Sequence, residues 1–140
     1  MEQCIIRKIK LTDIENGLLD ILKIHNGEKT NLSNTLMKII NNLNHIILVA
    51  ELNNTIIGCI TLFIETKFIH NGGLVCHIED IYTKDSRSET SITLIKEALK
   101  ISKKYGCYKS ILDCSDASNS FYEKLGFKKF ANSMKIEYSQ

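Results

Sequence analysis

The sequence has no proline and no tryptophan, and only 7 of its 140 residues are glycine. Flexible linkers between domains are usually rich in proline or glycine, and no stretch of this chain has such a composition. A chain of this length has room for one hydrophobic core. We therefore expect one domain that spans residues 1–140.

Long apolar runs are also missing. A helix that crosses a membrane needs about 20 consecutive apolar residues, and no run in this sequence approaches that length. The first four residues, Met-Glu-Gln-Cys, lack the basic and apolar regions of a secretory signal. These absences predict a soluble, cytoplasmic protein without a membrane partner.

Charge of one sign is not concentrated anywhere in the chain. The 18 basic and 16 acidic residues give a net charge of +2, and the lysines are scattered rather than clustered. Proteins that bind nucleic acid usually carry a basic patch or stripe. We expect no nucleic-acid partner.

The five cysteines include no C-x-x-C pair, and their odd number argues against a closed disulfide framework. Most of them lie in apolar strand-like runs, where a thiol packs as a small hydrophobic group. We expect reduced thiols and hence a reducing compartment. None of the four histidines has a second ligand at a spacing that suits a metal, so no metal site is expected.

The apolar pattern predicts the order of elements. Alternating or continuous apolar runs predict strands at residues 4–9, 45–52, 55–65, 74–83, 110–114 and 133–138. Helical spacing predicts helices that begin at Thr12, in a Thr-x-x-Glu capping box, at Ser33, after Ser86 and at Ser118. The resulting order β-αα-βββ-α-β-α-β is typical of an α/β fold in which helices cover a mixed sheet.

Four local segments carry a family resemblance. They are Glu65-Thr-Lys-Phe-Ile-His70, His77-Ile-Glu-Asp-Ile81, Gly106-Cys-Tyr-Lys-Ser-Ile-Leu-Asp-Cys114 and Phe121-Tyr-Glu-Lys-Leu-Gly-Phe127. In this order and at these separations they resemble the glucosamine-6-phosphate N-acetyltransferases of the Gcn5-related N-acetyltransferase (GNAT) superfamily. The resemblance implies the GNAT fold and a homodimer. It also implies transfer of the acetyl group of acetyl-CoA to the amine of glucosamine 6-phosphate, a step toward UDP-N-acetylglucosamine.

The resemblance assigns two catalytic residues. Tyr122 matches the tyrosine that lies near the sulfur of CoA, and a phenol with a pKa near 10 can protonate a thiolate whose conjugate acid has a pKa of about 8.5. Asp113, at the end of a predicted strand, matches the aspartate that orients the amino sugar and helps to deprotonate its amine. Without the resemblance, Tyr122 would be interpreted as a core aromatic residue of an amphipathic helix.

The resemblance also assigns residues to the sugar phosphate. Glu79 and Asp80 match an acidic pair that contacts the sugar hydroxyls, although consecutive strand residues face the same ligand only where the strand is bulged or splayed. On sequence alone, one solvated carboxylate and one local cap are an equal alternative. The other residues expected to bind the substrate are Lys67, His70, Tyr108, Lys109 and Lys135.

The connection between the fourth strand and the long helix is expected to bind the pyrophosphate of CoA. Members of the superfamily carry a glycine-rich loop there, whose backbone N–H groups bind the phosphates. This chain instead has Ser86-Arg-Ser-Glu-Thr-Ser91, without glycine. We expect retained but altered CoA binding, with hydroxyl and arginine donors in place of some backbone donors. The residues expected to bind the cofactor are Ile81, Tyr82, Thr83, Ser86, Arg87, Ser88, Glu89, Thr90, Ser91, Phe121 and Lys124.

A second departure lies near the C-terminus. The family has an arginine there that reaches the sugar phosphate of the partner subunit, whereas this chain has Glu137 at the matching place. Lys135 lies two residues earlier, and therefore on the same face of the predicted strand, so it can replace the arginine. Two alternatives stay open: an acetyltransferase for another small amine, and a degenerate GNAT fold that binds a partner or acyl-CoA without turnover.

Overall fold

The computed structural model describes residues 3–24, 31–85 and 89–139. Its strands are β1 (Ile5–Lys8), β2 (His45–Leu52), β3 (Thr55–Thr66), β4 (Leu74–Thr83) and β5 (Cys107–Ile111). Its α-helices are α1 (Leu18–Leu22), α2 (Leu32–Ile40), α3 (Glu89–Tyr105) and α4 (Asn119–Glu123). Short 3-10 helices occupy Leu11–Glu15, His70–Gly72 and Asp116–Ser118. No helix in these ranges is long and apolar enough to cross a membrane.

The described strands form one mixed sheet in the order β1-β2-β3-β4-β5. Neighbouring strands from β1 to β4 are antiparallel, and β4 and β5 are parallel because α3 connects them. The β2–β3 hairpin turns at Asn53 and Asn54, which both have positive φ, +51° and +59°. Asparagine tolerates this left-handed conformation, and two such residues match the twist of the flanking strands. The predicted meander and mixed sheet are confirmed.

Helices cover both faces of the sheet because apolar residues alternate along the strands. Ile46, Leu48 and Ala50 of β2 belong to a buried cluster that includes residues of α3. Val49 belongs to a second buried cluster, which includes residues of α1 and α2. The sheet is therefore packed on both faces.

Gly58 of β3 lets α3 approach the sheet closely. A Cβ atom there would lie 3.0 Å from Leu94 Cδ1 and 3.1 Å from both Thr83 Cγ2 and Thr90 Cγ2. These atoms belong to the end of β4 and the first turns of α3. A side chain at position 58 would therefore push the start of α3 away from the sheet.

The first predicted helix does not begin at Thr12. Residues Leu11–Glu15 form a 3-10 helix, and α1 begins only after Gly17, whose φ is +100°. The carboxylate that caps the 3-10 helix is that of Asp13, which accepts a hydrogen bond from the backbone N–H of Lys10 at 2.7 Å. The Thr-x-x-Glu capping box was thus a wrong interpretation. Asp13, the residue directly after Thr12, binds the backbone at the start of this helix.

Two predictions at the C-terminal end of the sheet are also wrong. The fifth strand spans Cys107–Ile111 rather than residues 110–114, and it is partly exposed because it lies at the edge of the described sheet. Residues 133–138 do not form a strand, and their large apolar side chains are exposed. An alternating pattern can form a strand only where a sheet edge accepts its backbone hydrogen bonds.

Candidate active site

The site begins where β4 and β5 separate. The two strands pair from Leu74 and Cys107 as far as His77 and Ile111. Beyond this point β4 continues for six residues to Thr83, whereas β5 ends at Ile111. In open α/β sheets, ligands commonly bind at such an opening beyond the carboxyl ends of parallel strands.

A cleft of about 660 Å³, a size typical of small-molecule sites, lies beside the end of β5. It holds both predicted catalytic residues, Asp113 and Tyr122. Three parts of the chain form its walls: residues 110–116, one side of α4 with Asn119, Tyr122 and Glu123, and residues 127–133. The structure therefore brings together the two residues to which acid–base roles were assigned.

Tyr122 is held on α4 by its neighbours. Its ring contacts Phe121 and Phe127 edge to face, with centroids 5.1 and 5.7 Å apart, and the N–H of Phe127 donates to the Tyr122 carbonyl at 3.1 Å. Partial burial, and then the nearby thiol of Cys114, raises the pKa of Tyr122 above its usual value. The phenol therefore stays protonated at neutral pH, as a proton donor requires.

The sequence predicted that Asp113 ends a buried strand, and the structure shows that it does not. It lies two residues beyond β5 and is exposed to solvent. Counting on from the last paired residues, His77 and Ile111, places Glu79 of β4 level with Asp113. Glu79 and Asp113 thus each lie two residues beyond the last residue pair that joins β4 and β5.

The acidic pair of β4 lies at a bulge. Cys59 pairs with Tyr82 and Thr61 with Glu79, so Asp80 and Ile81 together oppose the single residue Ile60. Asp80 has a φ of +51°, and both it and Glu79 are exposed. Two consecutive carboxylates can approach one ligand only where the strand is irregular, and the bulge provides such an irregularity at Glu79 and Asp80.

Lys67 lies in a small ionic cluster on the β3–β4 hairpin. Glu65 Oε1 is 2.9 Å from Lys67 Nζ and 2.9 Å from His77 Nε2. Hydrogen bonds, first from Lys67 and then from His77, hold the pKa of Glu65 below its usual value, and the bond to Glu65 raises the pKa of Lys67. Lys67, which was expected to bind the substrate, is therefore paired with the carboxylate of Glu65 in this structure.

The other predicted substrate residues form two separate groups. The His70 ring packs on Tyr108 at 4.9 Å, and Lys109 Nζ lies 5.7 Å from the Tyr108 centroid. Lys135 is exposed and lies 2.6 Å from Glu137 Oε1, an ion pair within the C-terminal segment. None of these residues lines the cleft.

The cofactor segment is described only in part, because Ser86, Arg87 and Ser88 lie outside the described residues. Glu89 and Thr90 begin α3, and Ser91 is buried with its hydroxyl 3.1 Å from Thr83 Oγ1. The Ser91 side chain therefore ties the helix to β4. The remaining predicted residues differ in exposure: Tyr82 and Lys124 are exposed, and Ile81 and Phe121 pack against the core.

Sequence comparison decides the family. The Acetyltransferase (GNAT) family matches residues 18–127, more than half of the chain. The chain belongs to the GNAT acetyltransferase family. The predicted GNAT fold and the predicted class of enzyme, an acetyl-CoA-dependent N-acetyltransferase, are thereby confirmed.

Three relatives show the extent of the similarity. The glucosamine 6-phosphate N-acetyltransferase of Candida albicans is 34% identical over 131 residues, which cover 87% of each chain. Glucosamine 6-phosphate N-acetyltransferase 1 of Dictyostelium discoideum is 47% identical over 85 residues, 59% of this chain and 54% of that protein. The crystal structure of the Arabidopsis thaliana glucosamine-6-phosphate N-acetyltransferase has a TM-score of 0.89 at 30% identity. It covers 99% of this chain and 100% of that one.

Sequence reasoning missed several residues of the acetyltransferase cleft, among them Cys114, Asn119, Lys128 and Lys129. Cys114 was taken as a buried hydrophobic residue, yet it is exposed, with its thiol 3.4 Å from Asn119 Oδ1. Its position directly after Asp113 is the signal that could have found it. No group of three or more histidine, cysteine, aspartate or glutamate side chains that could hold a metal occurs in the described parts of the chain.

Alkylation of Cys114 is expected to inactivate the acetyltransferase. The exposed thiol lines the cleft, whereas Cys59 and Cys76 are buried, and burial raises the pKa of Cys59 to about 11. Iodoacetamide should therefore label Cys114 ahead of these two residues, with loss of activity and with protection by acetyl-CoA, whose sulfur is blocked as a thioester. Mass spectrometry and residual activity would follow the reaction, with Cys114→Ser as the resistant control. Full activity after complete labelling of Cys114 would contradict this prediction.

Proposed function

We propose that the protein transfers the acetyl group of acetyl-CoA to the amine of glucosamine 6-phosphate, giving N-acetylglucosamine 6-phosphate. The observation that carries this proposal is the cleft beside the end of β5, which contains both Asp113 and Tyr122. The names of the relatives from Candida, Dictyostelium and Arabidopsis support the acceptor. The product places the enzyme on a route to UDP-N-acetylglucosamine.

The proposed reaction needs no covalent intermediate on the protein. The neutral amine attacks the thioester carbonyl, the C–N bond forms and the C–S bond breaks. Asp113 orients the amine and accepts a proton from it, and Tyr122 gives a proton to the departing CoA thiolate. Glu79 and Asp80, at the bulge, bind sugar hydroxyls beside the amine.

CoA would enter the opening between the strands from the α3 side. Tyr122 would contact the thioester, and Thr90, at the start of α3, would help to hold the pyrophosphate, whereas the carboxylate of Glu89 would repel it. Thr83 and Ser91 hold the end of β4 to that helix through their hydroxyl contact. The first turn of α3 is therefore fixed relative to the cleft, which favours a defined cofactor geometry.

The test is the release of free CoA thiol from acetyl-CoA in the presence of an amine. Glucosamine 6-phosphate, unphosphorylated glucosamine and a panel of other small amines would be compared at equal concentration. Turnover with glucosamine 6-phosphate well above that with glucosamine is expected. Turnover with another amine, but not with glucosamine 6-phosphate, would show that the acceptor is a different amine. The pairing of Lys135 with Glu137 favours this alternative, because Lys135 was expected to bind the sugar phosphate.

A non-catalytic GNAT fold is the second candidate, and the glycine-free segment at residues 86–91 favours it. Should no amine react, thermal unfolding with CoA separates the remaining cases. A ligand at 100 times its dissociation constant stabilises the folded protein by about 2.7 kcal/mol. Stabilisation without turnover would support a protein that binds acyl-CoA. Its absence would exclude both the enzyme and an acyl-CoA-binding protein, and would leave a fold that binds another partner.

We also propose that the enzyme is a homodimer of single-domain chains, each spanning residues 1–140. One edge of β5 has no partner strand within the described chain. Met134, Ile136 and Tyr138 alternate with polar residues and are 94%, 79% and 83% exposed, so they can cover a partner's sheet edge. Light scattering of the intact chain is expected to give twice the monomer mass. A chain ending at residue 132 is expected to give the monomer mass, and a monomeric intact chain would contradict the proposal.

The proposed location is the cytoplasm. All five cysteines are free thiols, which suits a reducing compartment. The substrates of the proposed reaction, acetyl-CoA and a sugar phosphate, are small and water-soluble. Fractionation of cells that produce the protein would test the location.

A further inference from the structure

Gly73 lies at the base of the arm, residues 67–73, which connects β3 to β4. Two residues of the arm, Lys67 and His70, are expected to bind the substrate. The backbone N–H of Gly73 donates to the carbonyl of His70 at 2.9 Å, and its carbonyl accepts from the N–H of Lys67 at 2.8 Å. A movement of Gly73 would therefore move both of these residues.

The backbone of Gly73 does not require glycine, but the space around it does. Its φ of −61° and ψ of 154° are open to any residue. A Cβ atom there would lie 2.8 Å from Tyr108 Cδ1, 3.0 Å from Tyr108 Cε1 and 3.0 Å from the carbonyl oxygen of His70. Carbon atoms pack best about 3.5–4.0 Å apart. The missing side chain thus lets the Tyr108 ring lie directly against the backbone of the arm.

Tyr108 lies at an irregularity of β5. Leu74 of β4 pairs with Cys107, and the next residue of β4 pairs with Lys109. Tyr108 is therefore the extra residue of a bulge and has no partner residue on β4. Bulges change the direction of side chains on the bulged strand. Here the ring of the extra residue packs on the arm.

The tip of the arm has a backbone conformation that needs support. His70, Asn71 and Gly72 have φ values of +54°, +54° and +70°. A left-handed conformation is unfavourable for histidine and persists only where the surroundings hold it. The Tyr108 ring packs on the His70 ring, with centroids 4.9 Å apart, and the N–H of Gly73 binds the His70 carbonyl. These contacts hold His70 in its unfavourable conformation.

Resting on the proposed function, we infer that Gly73 is a positioning residue, because its missing side chain lets Tyr108 hold the arm in the place where Lys67 and His70 meet the acceptor. β5 runs from Tyr108 to the cleft wall formed by residues 110–116. The contact between Tyr108 and Gly73 therefore determines where the arm lies relative to the cleft. Gly73 acts through its neighbours and contacts no reacting atom.

Steady-state kinetics of the Gly73→Ala variant test the inference. The added methyl group should push the arm away from β5. The KM for glucosamine 6-phosphate is expected to rise about tenfold, because a displaced arm loses a hydrogen bond to a charged group. The kcat at saturation and the KM for acetyl-CoA are expected to stay within about twofold, since the cleft with Asp113 and Tyr122 is unchanged.

The matched control is Gly72→Asn, on the same turn. A Cβ atom there would meet only the carbonyl oxygen of Lys67 within 4 Å, at 4.0 Å, and asparagine tolerates a positive φ. This control adds a larger side chain to the arm without a clash, so its KM for glucosamine 6-phosphate should stay within about twofold. An equal rise in both variants would overturn the inference, because any change in the arm would then have the same effect.

A double-mutant cycle with Tyr108→Ala tests whether Gly73 acts through the ring. Two residues that act through one contact have non-additive effects. Once the ring is absent, Gly73→Ala is expected to change the KM for glucosamine 6-phosphate by no more than about twofold. A rise of about tenfold in both backgrounds would show that position 73 acts independently of Tyr108, and the inference would be wrong.

The remaining outcomes are also decisive. An unchanged KM for glucosamine 6-phosphate in Gly73→Ala, or a change in kcat alone, would overturn the inference. Should Gly73→Ala not fold, Tyr108→Leu removes the ring without adding an atom to the arm, and an unchanged KM in that variant would overturn it equally. If the unmodified enzyme turned over other amines but not glucosamine 6-phosphate, the proposed acceptor would fail. That result is distinct, since it appears before any variant is made.

Discussion

Replacing Tyr122 with phenylalanine is expected to lower kcat about 100-fold and to change both KM values little. Positioned general acids typically contribute about 10² to 10⁴ in rate. Phenylalanine keeps the edge-to-face contacts with Phe121 and Phe127 while removing only the hydroxyl. The thiolate would then have to leave unprotonated or take its proton from water. Steady-state rates of acetyl transfer at saturating acetyl-CoA and amine provide the measurement.

The pH profile gives this prediction a second readout. Because its pKa is raised, Tyr122 remains a proton donor as the pH rises past 10, the usual value for a phenol. Deprotonation at still higher pH should lower kcat in the unmodified enzyme, and the Tyr122→Phe variant should lack this decrease. Tyr105→Phe, a change on the surface of α3, is the control. Unchanged kcat in the Tyr122→Phe variant would remove the residue from the mechanism.

Replacing Asp13 with asparagine is expected to reduce the free energy of unfolding by about 3 kcal/mol, since it breaks a buried ion pair. Asp13 is 1% exposed and accepts two hydrogen bonds from Arg7, at 2.7 and 2.8 Å, besides that from Lys10. Arg7 also pairs with Glu51, so β1, β2 and the 3-10 helix meet at this guanidinium. Urea unfolding at neutral pH would measure the loss, with the exposed Asp20→Asn as control.

The pH dependence of this loss follows from the pKa of Asp13. Burial alone would raise that pKa, but the hydrogen bonds from Arg7 and Lys10 outweigh burial and hold it below its usual value. A carboxyl group with a lowered pKa stabilises the fold above its unfolded pKa of about 3.9, and that stability is lost as the pH falls through the folded pKa. The difference between the two proteins should therefore shrink below about pH 4. A constant difference would show that lost packing, rather than lost charge, explains the effect.

The sequence predicted the sheet because its strands depend on local patterns. Local motifs also led to the two residues that are proposed to be catalytic. Alternation along β2, β3 and β4 determines their faces, and the asparagines at 53 and 54 determine the hairpin turn. Asp113 and Tyr122 were found through short motifs whose order matches a known family. Their joint presence in one cleft depends on where α4 lies relative to the end of β5, which no local motif specifies.

The wrong predictions share a physical cause, which is that tertiary partners decide them. The period of residues 133–138 is that of a strand, but no strand of the described chain pairs with them. Lys135 pairs with Glu137, two residues along, at 2.6 Å, and its expected contact with a phosphate stays a prediction. Lys128 and Lys129 lie in an irregular segment without periodicity, so the sequence pattern could not predict that they line the cleft.

The bulge in β4 has a consequence for how the chain tolerates change in length. Removing one residue from a strand normally turns every later side chain to the opposite face. At Asp80 the deletion would instead be silent for the sheet, because Glu79 would still oppose Thr61 and Tyr82 would still oppose Cys59. Position 80 is thus a place where the chain can gain or lose one residue without a change in the register of the rest of the sheet.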